Sequence, residues 1–305
     1  LTHTLSKFDE KGKEKVLLRY LQPLSEVPQV IFNDLSEEQI DAEESAEAYQ
    51  QKLFSIDEER SDNTLLSDIL KPILEKYRLS ATHLTTWLDE KYGGKDIFIT
   101  RHLLRFPQAM GESAIHGSAV HKALENAHLA YSNGKPIELT TLESTYQQEI
   151  AKCPLDDELK QKMNKKAEYL FNNLFDDIKK LVEVKASPEV DIKVNFEDIR
   201  LSGKLDALVI DEEAGTAIVR DYKTGKPSTY MEPRDKNQLY LYKLLIDQAP
   251  ERLPKNIKLS GAELVYLNPT EDGVVTLKLE YKESEYQEFK ELLKKTWAEI
   301  MALAS

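Results

Sequence analysis

Residues 219–227 read VRDYKTGKP, and the stretch offers two incompatible chemistries. Thr224-Gly225-Lys226 invites comparison with a phosphate-binding loop. Such a loop needs several glycines ahead of its lysine, so that backbone N–H groups can wrap the phosphates, and it then opens a helix. Here Asp221, Tyr222 and Lys223 precede the triplet and Pro227 follows it, which argues against that use. Asp221 and Lys223 lie two residues apart in a strand-like run, so their side chains project from one face. The turn EEAG at 212–215 joins this run to LDALVID, and an antiparallel register then sets Asp206 opposite Asp221. Two carboxylates on one face repel, and one would have to stay protonated. A hard divalent cation removes the conflict, because Mg²⁺ takes carboxylates, waters and substrate phosphate oxygens together. A lysine beside it can orient or deprotonate a water and steady charge on a phosphorane-like transition state. The competing reading is a surface hairpin with a cross-strand salt bridge. Both acids, however, stand in apolar runs, LDALVI and AIVRDY, where a paired acid without a task is unfavourable.

Two further constellations accompany the pair. In GSAVHKALENAH, His121, Glu125 and His128 recur at helical spacing and share a face. Histidine is a frequent metal ligand, although a lone helical histidine is more often a satisfied interface residue. A zinc site is disfavoured, since there is no His-Glu-x-x-His spacing and no cysteine support. In NQLYLYKLL, Gln238 and Tyr242 are four apart on a helix following the acid–lysine strand. They form either the polar edge of an amphipathic helix or a contact to a nucleic-acid strand.

The elements that must position these groups follow from periodicity. LSATHLTTWLDEKY reads as a helix capped by Ser80 or Thr82 and ended near Gly93-Gly94. SAIHGSAVHKALENAHLAYSNG is a second, with Val120, Leu124, Ala127 and Tyr131 as a stripe and Gly134 as its stop. Residues 156–183 form a third, burying Leu159, Met163, Ala167, Leu170, Leu174 and Ile178. The period then changes: PEVDIKVNFEDIRLSGKLDALVID and TAIVRDYKTG are strand-like. NQLYLYKLLID is helical, KLSGAELVYLNP and GVVTLKLEYK are strands, and SEYQEFKELLKKTWAEIMALA closes the chain as a helix. The expected fold is α/β, a mixed central sheet flanked by helices. Residues 1–75 read as an acidic helical arm or linker, with helices in KEKVLLRYLQPL and LSEEQIDAEESAEAYQQKLFSIDEE, and 76–305 as the compact domain.

The net charge of −13 is a poor match to a nucleic-acid binder, but its distribution is uneven. Residues 1–70 hold 16 acidic and 7 basic residues, whereas 71–305 hold 38 and 34. The later part can therefore carry a basic groove beside an acidic metal site. One cysteine, Cys153, rules out an internal disulfide and any protein-only multi-cysteine cluster, and it suits a reducing cytoplasm. There is no apolar run of membrane-spanning length and no signal-like leader, and no membrane partner is expected. The start at Leu1 reads as the interior of a longer protein.

Taken in order, GSAVHKALE, LSGKLDAL, VRDYKTGK and QLYLY resemble the motifs of RecB-type nucleases in the PD-(D/E)XK superfamily, over about residues 79–282. LSATHLTTWL and LLRFP resemble the segment that precedes this domain at the C-terminus of UvrD-like helicases. The resemblance implies a restriction-endonuclease-like core and a Mg²⁺- or Mn²⁺-dependent DNA nuclease, working with a helicase motor in repair or recombination. It implies His121, Asp206 and Asp221 as side-chain metal ligands, the Tyr222 carbonyl as a backbone ligand, and Lys223 as the catalytic lysine beside Asp221 and Asp206. Gln238 and Tyr242 would contact DNA, with Lys226 as a nearby phosphate contact, and Glu189 matches a commonly acidic position. Many relatives carry a four-cysteine iron–sulfur cluster. WLDEKYGGKDIF and the C-terminal segment lack its cysteines, so a cluster-free variant is expected. The rival expectations are a catalytically silent DNA-binding or scaffold module of a helicase complex, and a nuclease for RNA.

Overall fold

The structure, a computed structural model, describes residues 63–89, 94–106, 111–269 and 273–304. The helices expected within 13–24 and 35–59 lie outside the described residues. The compact unit spans Ser67–Ser305. It contains a five-stranded sheet in which each strand neighbours the next in sequence. β1 (Ala186–Phe196), β2 (Ile199–Asp211) and β3 (Thr216–Lys223) form an antiparallel meander. The crossover helix α7 (Pro233–Gln248) then brings β4 (Lys258–Tyr266) back parallel to β3, and β5 (Val275–Glu280) returns antiparallel. A helical crossover is what a parallel pair requires, so the sheet is mixed, as the alternating periodicities imply.

Helices cover both faces. α1 (Asn63–Leu74), α2 (Ala81–Leu88), α7 and α8 (Glu283–Met301) bury Leu70, Leu84, Leu245 and Trp297 against one face. Between α2 and the next helix, α3 (Gly94–Ile97) runs into a π-helical turn, Phe98–Leu103. α4 (Glu112–Ser132), α5 (Leu139–Lys152) and α6 (Asp157–Val182) bury Val120, Tyr146, Phe171 and Ile178 against the other face. Ser80, not Thr82, caps α2: its Oγ accepts the His83 N–H at 3.3 Å. The helix stops at Leu88, ahead of the expected glycine pair. Tyr131, expected on the α4 stripe, is exposed. α5 has no counterpart in the expectations above, because only Leu142, Thr145, Tyr146 and Ile150 of its 14 residues are buried and its sequence is otherwise polar.

Two local features shape the region around Asp206. Leu201, Leu205, Leu208 and Ile210 belong to the core on the α7 side, whereas Ala207 packs into the α4–α6 core. A strand of strict period two cannot do this, so the alternation slips by one residue at Asp206. Directly across, β1 departs from regular geometry: Pro188 pairs Ala207, Val190 pairs Leu205, and Glu189 between them has φ 52°. One turn of pairing earlier, Gly203 admits α7, because a Cβ there would collide with Leu245. That close approach carries Gln238 and Tyr242 to the sheet.

Candidate active site

Asp206 is the hub. Its Oδ1 lies 3.0 Å from His121 Nδ1, reached from α4 across the sheet face. Its Oδ2 accepts the Tyr222 N–H at 2.7 Å. This second bond replaces a rung of the ladder. β2 and β3 pair from Asp211/Thr216 to Ala207/Arg220, the register that the EEAG turn implies. At the next position Asp206 would face Asp221 backbone to backbone, but the Tyr222 N–H turns to the Asp206 carboxylate instead. Tyr222 thus enters the site through its backbone N–H. Its ring packs on the α4 side, edge-on to the His121 ring at 6.4 Å between centroids, and its hydroxyl meets His128 Nε2 at 2.9 Å.

One ligand atom from each of His121, Glu189 and Asp206 falls within 4.8 Å of the others. Glu189 reaches this group because its place in β1 is across from Asp206. It also forms an ion pair with Lys204, two residues before Asp206 on β2. Lys204 was not singled out by sequence; its period-two relation to Asp206 was the available signal. Burial alone would lower the His121 pKa, but the hydrogen bond and charge of Asp206, with Asp221 and Glu189 behind it, raise it. One imidazole and two carboxylates are a mixed nitrogen–oxygen donor set that suits Mn²⁺ or Mg²⁺. A strained backbone at Glu189 that turns an acid toward two other donors fits the same use.

Asp221 is 3% exposed and is not one of that trio, although its charge acts on His121 and the Asp206 charge acts on it. Lys223 Nζ lies 2.8 Å from its Oδ2, and Gln238 Nε2 donates to its Oδ1 at 2.7 Å. Desolvation raises the Asp221 pKa; the Lys223 charge pulls it back and the Asp206 charge adds to the rise. Burial would lower the Lys223 pKa, yet the Asp221 charge and contact hold it above the ordinary value. Gln238 completes the arrangement by accepting from Lys223 Nζ at 2.9 Å and donating to the Tyr242 hydroxyl at 2.8 Å. Both amide protons of Gln238 and one of its acceptor sites are therefore committed inside the protein. In this arrangement Gln238 positions Asp221 and Lys223, and Tyr242, 5% exposed, lies behind it. Lys226 is exposed and lines a cleft beside Lys223.

Of the helical trio read from the sequence, only His121 joins the site. Glu125 pairs with Lys122 at 2.6 Å, and His128 is a buried partner of Tyr222. The same layer holds a buried ion pair: Arg220 Nε donates to Glu263 Oε1 at 2.5 Å across the parallel β3–β4 pair.

A three-stranded meander plus a parallel strand, with carboxylates aligned across β1, β2 and β3 and a lysine two residues past the last, defines a restriction-endonuclease-like α/β core with a carboxylate–lysine centre. The PD-(D/E)XK nuclease superfamily matches residues 78–304, and the chain belongs to that superfamily. Membership supports phosphodiester hydrolysis as the activity and divalent metal ions as the usual cofactor of the fold. Two solved structures are similar to it. One is a protein of Eubacterium rectale described as a candidate exonuclease, 11% identical, covering 74% of this chain and 81% of its own, with a TM-score of 0.49. The other, SSO0001, is 18% identical, covers 57% of this chain and 82% of its own, and has a TM-score of 0.29. No curated protein is similar enough to be counted as a relative. No described helix is long and apolar enough to cross a membrane.

Proposed function

We propose that this chain is a Mg²⁺- or Mn²⁺-dependent deoxyribonuclease of the RecB type, acting as an exonuclease beside a helicase motor in DNA repair or recombination. The observation that carries the activity is the alignment of Glu189, Asp206 and the Asp221–Lys223 pair on three neighbouring strands beneath His121. His121, Glu189 and Asp206 would hold the cation, with Asp221 and the Tyr222 carbonyl as further ligands. A divalent ion bound there supplies charge neutralisation at the scissile phosphate and a bound water of lowered pKa.

The rest of the chemistry belongs to the chain. Asp206 is oriented by His121 and by the Tyr222 N–H, so its carboxylate is preset before substrate arrives. Lys223 holds a positive charge in a half-buried position, where it steadies negative charge developing on the phosphate oxygens. Gln238 keeps the Lys223 ammonium and the Asp221 carboxylate in register. The RecB type and the helicase context rest on the order of the motifs along the sequence. Cleavage of single- and double-stranded DNA with Mg²⁺ or Mn²⁺ tests the proposal, with RNA as competitor. Undiminished cleavage by Asp221→Ala or Lys223→Ala would sink the mechanism.

A further inference from the structure

A cleft of about 520 Å³ opens beside Lys223 and Gln238, between α2 and the loop that joins β3 to α7. Its helical wall carries Thr82, Thr85 and Thr86, and its other wall carries the basic Lys226 and Arg234 with Ser228 and the acidic Glu232 and Asp235. The helix is anchored there from below. Leu79, just before α2, bridges in parallel to Leu201 of β2, and Arg200 donates to the Leu74 and Tyr77 carbonyls at 2.6 and 3.0 Å.

Several of these polar groups already have partners. The Thr86 hydroxyl donates to the Thr82 carbonyl at 3.0 Å and contacts His102, and Arg234 pairs with Glu232 at 2.9 Å. Among the described residues, the hydroxyls of Thr82 and Thr85 and the ammonium of Lys226 have no protein partner. Free hydroxyls and a free ammonium around one cleft are the groups that take phosphate and sugar oxygens, and such contacts carry no sequence information. The same loop also carries an exposed aromatic ring outside the residues that line the cleft. Ser228 Oγ donates to the Tyr230 carbonyl at 2.7 Å, and the Tyr230 ring, between cleft residues Ser228 and Glu232, is 64% exposed. Exposed aromatic rings beside a basic track are what sequence-tolerant single-strand binders use. The volume belongs to the size class of small-molecule sites, about 300–1,000 Å³, which has room for one or two nucleotides of an unpaired strand.

We infer that this cleft holds the unpaired DNA strand flanking the scissile phosphate, gripping its backbone through Thr82, Thr85 and Lys226 and one base through Tyr230, without regard to sequence. The inference rests on the nuclease reading, but its test does not require turnover. Binding of a short labelled single-stranded oligonucleotide is followed by fluorescence anisotropy in EDTA over a range of salt. Thr82→Val/Thr85→Val is expected to raise Kd about tenfold, the loss of two neutral hydrogen bonds, with the salt dependence unchanged. Lys226→Ala is expected to weaken binding and lower the slope of log K against log salt by about 0.7. Tyr230→Ala should weaken binding several-fold at every salt concentration. Lys226 and Tyr230 are exposed, so those two variants carry the test even where the threonine double variant fails to fold. Wild-type affinity in Lys226→Ala and Tyr230→Ala, or a preference for duplex over single strand, overturns the inference. Strand binding through these residues without Mg²⁺- or Mn²⁺-dependent cleavage would sink the proposed activity and leave this inference standing.

Discussion

Gln238 Nε2 donates a 2.7 Å hydrogen bond to Asp221 Oδ1, while its Oε1 accepts from Lys223 Nζ at 2.9 Å. One amide thus joins the acid and the lysine that the chain places two residues apart. Gln238→Ala leaves a buried carboxylate oxygen without its donor, which costs about 1–3 kcal/mol. Urea denaturation is expected to show that loss, and cleavage assays a fall in kcat larger than any change in KM. Equal kcat in the variant and the parent would remove Gln238 from a positioning role.

Glu189 belongs with His121 and Asp206, so its removal is expected to weaken cation binding directly. Calorimetry with Mn²⁺ should show Glu189→Gln binding at least about tenfold more weakly, the lower range for losing a supporting group at a metal site. In the parent, Mn²⁺ at a hundredfold excess over Kd is expected to add about 2.7 kcal/mol of stability, since it binds only the folded chain. Removing the ion with EDTA reverses this. An unchanged Mn²⁺ affinity in Glu189→Gln would show that the acid serves only Lys204.

Arg220 and Glu263 are both buried, and the guanidinium also donates to the Leu181 carbonyl. Glu263→Ala strands that charge between β3 and α6. The expected destabilisation is about 3–5 kcal/mol, the range for breaking a buried pair from one side, read from chemical denaturation. A loss below 1 kcal/mol would mean that water reaches Arg220.

His116 and His128 are buried beside the Tyr146 and Tyr222 hydroxyls, and burial lowers both pKa values from 6.5 to about 4. Between those values the unfolded chain binds protons that the folded chain does not. Stability is therefore full above the unfolded pKa and falls as pH drops from 6.5 toward 4, by a few kcal/mol for the two together. Urea midpoints at pH 7, 6 and 5 should decline in that order, and a flat series contradicts the assignment.

Gly203 lets α7 approach β2, and a Cβ there would meet Leu245. Gly203→Ala is expected to cost about 1–3 kcal/mol by overpacking. It should also lower activity, because the same helix carries Gln238 and Tyr242. A destabilised variant with full activity would show that α7 adjusts without moving the amide.

The hairpin, the shared face of Asp221 and Lys223, and the helices over 112–132 and 157–182 were legible in the residues. Each is set by a local period and a turn, and a four-residue connection between two apolar runs leaves one register that buries both. The sequence pattern also brought His121 into consideration through helical spacing, although it could not separate it from His128. Tertiary structure decided the rest. Glu189 takes its place through the register of β1 on β2, which depends on a two-residue turn at Glu197 and Asp198 that no strong turn signal marks. The side-chain alternation slips at Asp206, and each acid is held by its own partners: Asp206 by His121 and the Tyr222 N–H, Asp221 by Lys223 and Gln238. Side-chain direction along a strand follows from backbone geometry alone, whereas the choice of partner for a buried charge depends on which donors the folded chain brings within reach.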